Sequence, residues 1–221
     1  PYHGLTYQGS RGLSLFERPV LMQPLFGYCD ADFAGRLYDS KSTSGYMVRL
    51  GGIGVISYKS KVQRKIALSS TEAEYYAANE LCKEIVWLRG LLSELDIYVH
   101  TPTRVFEDNE STIKISENPI QHDRTKHFRL AQHYIQDLTE RGEVDLVRIS
   151  SADQPADALT KALSKQPFEK HRTKLMGDVQ EPPADWPGDS PDHPGVIRRN
   201  KFRAERRKNY EDHEEMLEQV R

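Results

Sequence analysis

The stretch GYCDADFAG, Gly27 to Gly35, sets two carboxylates, Asp30 and Asp32, among residues that suit a sheet, Tyr28, Cys29, Ala31 and Phe33. Acids in that position either start a turn or hold a cation. Three more acids raise the same question. An apolar stripe of Ala78, Leu81, Ile85, Leu88, Leu92 and Leu95, at steps of three and four, predicts a long helix over roughly 70–95, and four residues before Ala78 the same stripe reaches Glu74. A lone buried carboxylate costs several kcal/mol, so Glu74 wants a cation. Glu72 lies on another side, three residues after Ser69, the spacing of a capping box. Asp108 closes the strand-like TRVFED and precedes a short helix, where an acid also serves as an N-cap. Asp157 falls in the first turn of a last helix, and Asp153 is the better cap for it. Asp32 sits where the chain turns toward Gly35, and a turn role suits it.

The elements that must position these acids follow from periodicity. Strands are predicted at LFGYCDADF, GYMVRL, GVISYK, TRVFED and EVDLVRIS, with Gly51 and Gly52 turning the second into the third. Helices are predicted at 70–95, at NESTIKISEN up to Pro119, at RLAQHYIQDLTERG up to Gly142, and from ADQPADALTKAL, where Pro155 occupies a first-turn position. Three strands, helix, strand, one or two helices, strand and helix make an α/β domain with a mixed sheet flanked by helices. In such a sheet, strand ends and functional loops meet at one edge. Asp30, Glu74, Asp108 and Asp157 brought together there would repel one another unless cations neutralise them. Two Mg²⁺ ions about 3.5–4 Å apart suit such a set and the cleavage of a phosphodiester.

Composition narrows the partners. The 221 residues carry a net charge of −2, so a nucleic-acid surface has to be a local patch. Two cysteines, Cys29 and Cys82, make neither a disulfide framework nor a zinc site, and as buried free thiols they suit an intracellular compartment. No apolar run spans a membrane. Residues 1–24 read as a linker, 25–165 as the α/β domain, 166–177 as a helical extension, and 178–221 as a charged, proline-interrupted tail with the composition of disorder.

Several stretches resemble the ribonuclease H domain that lies C-terminal to reverse transcriptase in copia-type retrotransposon polyproteins. They are GYCDADFAG, DSKSTSGYMVRLGG, ISYKSKVQRKIALSSTEAEYYAANE, IVWLRGLLSEL, FEDNESTIKISENP, RTKHF and ADALTKAL, collinear over about 25–165. The resemblance implies a ribonuclease H-like fold, three antiparallel strands followed by two parallel ones. It also implies an Asp-Glu-Asp-Asp metal set on Asp30, Glu74, Asp108 and Asp157, two Mg²⁺ ions with Mn²⁺ able to substitute, and no small-molecule cofactor. Cellular enzymes of this fold usually carry a histidine before the last acid, and ISSADQPAD has none; His122 and His127 lie in another loop.

The implied substrate is an RNA–DNA hybrid, sensed through the 2′-OH and groove shape. Lys59, Lys61, Arg64 and Lys65 are candidates to track phosphates, and Ser42, Thr43 and Ser44 to bond sugar or phosphate oxygens. Asn109, Arg124, Lys126 and His127 complete the candidate contacts, His127 with a structural role as its alternative. The implied partner is the reverse transcriptase of the same polyprotein, in a cytoplasmic retroelement particle or the nucleus. Two function classes stay open: an endonuclease cutting the RNA strand of hybrids, and a non-catalytic remnant that binds nucleic acid or a partner.

Overall fold

β1, Leu25–Asp32, is the centre of the molecule, buried along all but its last residue. Its alternation sends Phe26 and Tyr28 to one face of the sheet and Leu25 and Cys29 to the other. β2, Thr43–Leu50, pairs antiparallel with β1, and β3, Gly54–Val62, pairs antiparallel with β2, with a bulge at Val48/Arg49. β4, Thr103–Glu107, and β5, Val144–Arg148, add in parallel, giving the order β3-β2-β1-β4-β5. This is the ribonuclease H-like fold, with three antiparallel strands and then two parallel ones. The computed structural model describes residues 25–51, 54–95, 97, 99, 101–117 and 129–176. The expected linker over 1–24, the tail over 178–221, Gly52, Pro119, and the segment holding His122, Arg124, Lys126 and His127 lie outside the described residues.

Helix α1, Ser70–Glu94, packs its stripe on one face of the sheet. Ala78, Leu81, Ile85, Leu88 and Leu92 are buried there, and Leu95 is not: it is 54% exposed at the C-cap, where the helix has ended. Ser69 caps α1, its Oγ accepting from Glu72 N at 3.1 Å. The return bond from Glu72 runs to Leu68 N at 2.8 Å, one residue before the partner of a standard capping box. α2, Glu110–Glu117, and α3, Arg129–Glu140, lie on the same side, where Ile135 and Leu138 of α3 join the α1 core. Gly142 ends α3 with φ 66, a conformation that glycine adopts without strain.

The opposite face is covered by the C-terminal part. Phe26, Tyr28, Met47, Val55 and Phe106 pack there against Ala156, with the Tyr28 and Phe106 rings stacked at 4.8 Å. The helix expected from ADQPADALTKAL is a short 3-10 helix at Pro155–Leu159, and the α-helix α4, Lys165–Leu175, lies where the helical extension over 166–177 was expected. α4 belongs to the packed unit: His171 is 2% exposed, and Arg49 Nη1 donates to Lys174 O at 3.1 Å.

Candidate metal centre

Asp30 lies two register steps inside the end of β1, opposite Gly45 of β2, and is 3% exposed. Gly45 is required at that spot. A Cβ there would meet Thr160 Cγ2 at 2.7 Å and Leu159 Cβ at 2.8 Å, so only glycine lets the 3-10 segment come down onto β2. That approach brings the Thr160 hydroxyl onto Asp30 Oδ2, to which it donates. Gln154 anchors the same segment. Fully buried, it donates from Nε2 to Cys29 O at 2.8 Å and Phe106 O at 3.2 Å, bridging β1 and β4, and its Oε1 accepts from Ala156 N. Gln154 thus takes the cap expected of Asp153, which instead pairs with Lys170 at 2.7 Å.

Glu74 stands in the second turn of α1, 6% exposed, with Oε2 lacking a hydrogen-bond partner. Asp108 follows the last residue of β4, and the capping that competed for it belongs to Asn109, whose Oδ1 accepts from Ser111 N at 3.0 Å and Thr112 N at 3.2 Å. One carboxylate oxygen from each of Asp30, Glu74 and Asp108 lies within 4.8 Å of the others. Asp157 is not in that cluster. It is buried beside it and paired to Lys161 at 2.8 Å, and its charge raises the pKa of Asp30.

The electrostatics suit a divalent cation. Burial, then the charges of Glu107, Asp30 and Asp108, push Glu74 up to about 11. Burial raises Asp30 to about 7 against the Thr160 hydrogen bond, with Asp157 and Asp108 adding to the rise. These groups hold protons unless positive charge replaces them. A buried carboxylate oxygen without a partner, inside an all-oxygen donor set, is what a hard divalent cation takes. The residues present therefore fit such an ion.

Glu107 is a further acid that the sequence reading passed over. It is fully buried, its Oε2 accepting from Cys29 Sγ at 3.1 Å and its Oε1 from Asn109 N at 3.0 Å, and burial raises it to about 8. β4 is buried at every position, so alternation along it carries no signal that sets Glu107 apart. Thr160 and Lys161 were also missed, although they stand three and four residues after Asp157 in ADALTKAL.

The expected nucleic-acid residues are dispersed. Ser42 is buried, its Oγ accepting from Ala34 N at 3.1 Å, and Ser44 Oγ accepts from Gln63 at 2.8 Å, so both hydroxyls brace the protein itself. Thr43 is half-buried at the start of β2. Lys59, Lys61, Arg64 and Lys65 line a groove on the far side of α1 from Glu74. Arg124, Lys126 and His127 lie outside the described residues.

No protein-family model matches the chain. A Retrovirus-related Pol polyprotein from transposon TNT 1-94 of Nicotiana tabacum is 41% identical over 145 residues, 66% of this chain. Another, from transposon RE2 of Arabidopsis thaliana, is 37% identical over 184 residues, 83% of this chain. The chain is a ribonuclease H-like relative of the copia-type retrotransposon Pol polyproteins. It spans 11% and 12% of the lengths of these two relatives. Among solved structures, LC11-RNase H1 isolated from compost is 15% identical, with a TM-score of 0.48 over 62% of this chain and 93% of that one.

Proposed function

We propose that the protein is a metal-dependent endonuclease that cuts the RNA strand of RNA–DNA hybrids during retroelement reverse transcription, leaving a 5′-phosphate and a 3′-hydroxyl. The observation that carries this reading is the convergence of Asp30, Glu74 and Asp108 within 4.8 Å, two of them raised in pKa by burial. Asp30, Glu74, Asp108 and Asp157 would hold two Mg²⁺ ions, or Mn²⁺ in their place. When bound, such ions neutralise the acids and supply an activated water and charge stabilisation for phosphodiester hydrolysis.

The chain's own residues prepare the site. Thr160 fixes the Asp30 carboxylate by donating to Oδ2. Lys161 holds Asp157 in place at 2.8 Å until a cation competes for it. Gln154 locks the ends of β1 and β4 to the segment carrying Asp157, so the acids keep their spacing. Glu107 lies close enough to Glu74 to raise it, so a cation that neutralises the cluster relieves that repulsion as well.

The Pol polyprotein relatives support a reverse transcriptase of the same polyprotein as partner, and an intracellular setting in a retroelement particle or the nucleus belongs to the same proposal. The test is cleavage of a hybrid with labelled RNA by the full chain in Mg²⁺. The expected result is cutting of the RNA strand only, abolished in Asp30→Asn. A folded protein that binds hybrid and never cuts it, in Mg²⁺ or Mn²⁺, is a binding remnant, and the proposal falls.

A further inference from the structure

The groove between β3 and α1 is a second charged feature, and it faces away from the metal centre. Its volume is about 590 Å³. Tyr76, Asn79 and Lys83 on its α1 wall lie roughly 140–200° round the helix from Glu74, counting about 100° per residue. Five cations line it against one carboxylate, Glu80. Glu80 is already spent on Lys59 at 2.9 Å and Lys83 at 3.2 Å. Lys61, Arg64 and Lys65 are exposed and have no carboxylate partner among the described residues. They are strung from the end of β3 into the connection after it rather than gathered at one point.

Two further observations say what the cations are for. Gln63, 8% exposed and lining the groove, spends both amide protons, on Ser44 Oγ at 2.8 Å and Ala73 O at 2.9 Å. Those bonds fix the orientation of the amide and leave Oε1 as a buried acceptor without a partner. Asn79 Oδ1, in the same lining, is in the same condition. Such acceptors call for a ligand that donates hydrogen bonds, as a base amine or a ribose hydroxyl does. Tyr76 adds a half-buried ring to the lining. The volume falls in the range of small-ligand pockets, about 300–1,000 Å³, the scale of a nucleotide rather than of a duplex. Spread cations, an aromatic ring and unpartnered acceptors are together the chemistry of a single-strand site.

We propose that the groove between β3 and α1 binds an unpaired polynucleotide strand, with successive phosphates on Lys61, Arg64 and Lys65 and a base against Tyr76, its donors toward Gln63 Oε1 and Asn79 Oδ1. The site is separate from the metal centre and does not depend on cleavage. An unpaired tail of a copied strand is a ligand of this kind.

The test is binding of a fluorescent single-stranded oligonucleotide to the full chain, read by anisotropy against salt concentration. Each phosphate contact removed lowers the salt slope by about 0.7 for a single strand. Lys61→Ala with Arg64→Ala and Lys65→Ala should therefore flatten the slope by roughly 2, with the melting temperature unchanged. Tyr76→Ala should weaken binding about tenfold, and Tyr76→Phe should restore it. Asp108→Asn should bind as the natural protein does, which separates this site from the nuclease reading. The proposal is overturned by an unchanged slope in the triple variant or by a Tyr76→Phe as weak as Tyr76→Ala. It is also overturned by loss of binding in Asp108→Asn, or by an equal loss for blunt duplex, which would make the cations a duplex surface.

Discussion

Glu72 and Glu74 stand two positions apart on α1, and the helical turn sends their carboxylates to different neighbours. Glu72 accepts from Leu68 N at 2.8 Å and Tyr76 OH at 3.0 Å, and Glu74 faces Asp30 and Asp108. Glu72→Gln keeps an acceptor toward Leu68 and offers Tyr76 an amide, so it should cost about 1 kcal/mol or less and leave hybrid cleavage near normal. Glu74→Gln should cut cleavage by orders of magnitude and leave metal-free stability equal or higher. Thermal melting and cleavage of both variants check this; the reverse pattern would mean that Glu74 is not a ligand. The pH dependence follows from the same groups. The folded, metal-free protein keeps a proton on Asp30 up to about 7, while an unfolded aspartate releases it near about 4. The folded state then binds more protons across that window, so metal-free stability contributed by Asp30 falls as pH rises from about 4 to about 7. Asp30→Asn should flatten that part of the stability profile, as denaturant unfolding at a series of pH values would show.

The elements that place these residues differ in how far the sequence announces them. β5 is visible by alternation, β1 by its run of sheet-forming residues, and α1 by a stripe that runs from Glu74 to Leu92. The stripe picks out Glu74, and Asp30 and Asp108 are picked out by standing at or after strand ends; these three converge. The approach of the last acid was not legible. A five-residue 3-10 helix has no period to read, and the role of Gln154 depends on contacts with Cys29, 125 positions away. Glu107 hides in a strand buried at every position, where alternation does not separate a functional acid from the core. Gly45 links the two halves of the site. Gly45→Ala would drive a Cβ into Leu159 and Thr160, so we predict destabilisation of about 1–3 kcal/mol from overpacking. Cleavage should fall further than stability explains, because Thr160 and Asp157 move off Asp30. Cleavage equal to that of the natural protein in a folded Gly45→Ala would show that the 3-10 segment is not positioned by this contact.

For the whole molecule, the two charged features lie on different faces of α1: an acid cluster at the sheet edge and a basic groove beside β3. No helix among the described residues is long and apolar enough to cross a membrane. A chain ending after Gly177 should cut hybrids as the full chain does, since the acid cluster and the segment that positions it all lie before that residue. One ending at Ser164 should melt several degrees lower, because Arg49 loses its acceptor on Lys174 and the space filled by His171 opens. Equal melting of the two would refute that role of α4. The central claim is that Asp30, Glu74 and Asp108 bind a divalent cation. The most direct measurement is thermal melting of the natural protein and of Asp108→Asn with and without Mg²⁺. Binding to the folded state alone adds RT ln(1 + [L]/Kd), about 2.7 kcal/mol when metal stands at a hundred times Kd. The account predicts an upward shift with millimolar Mg²⁺ that Asp108→Asn loses. No shift in the natural protein, or an equal shift in the variant, would contradict it.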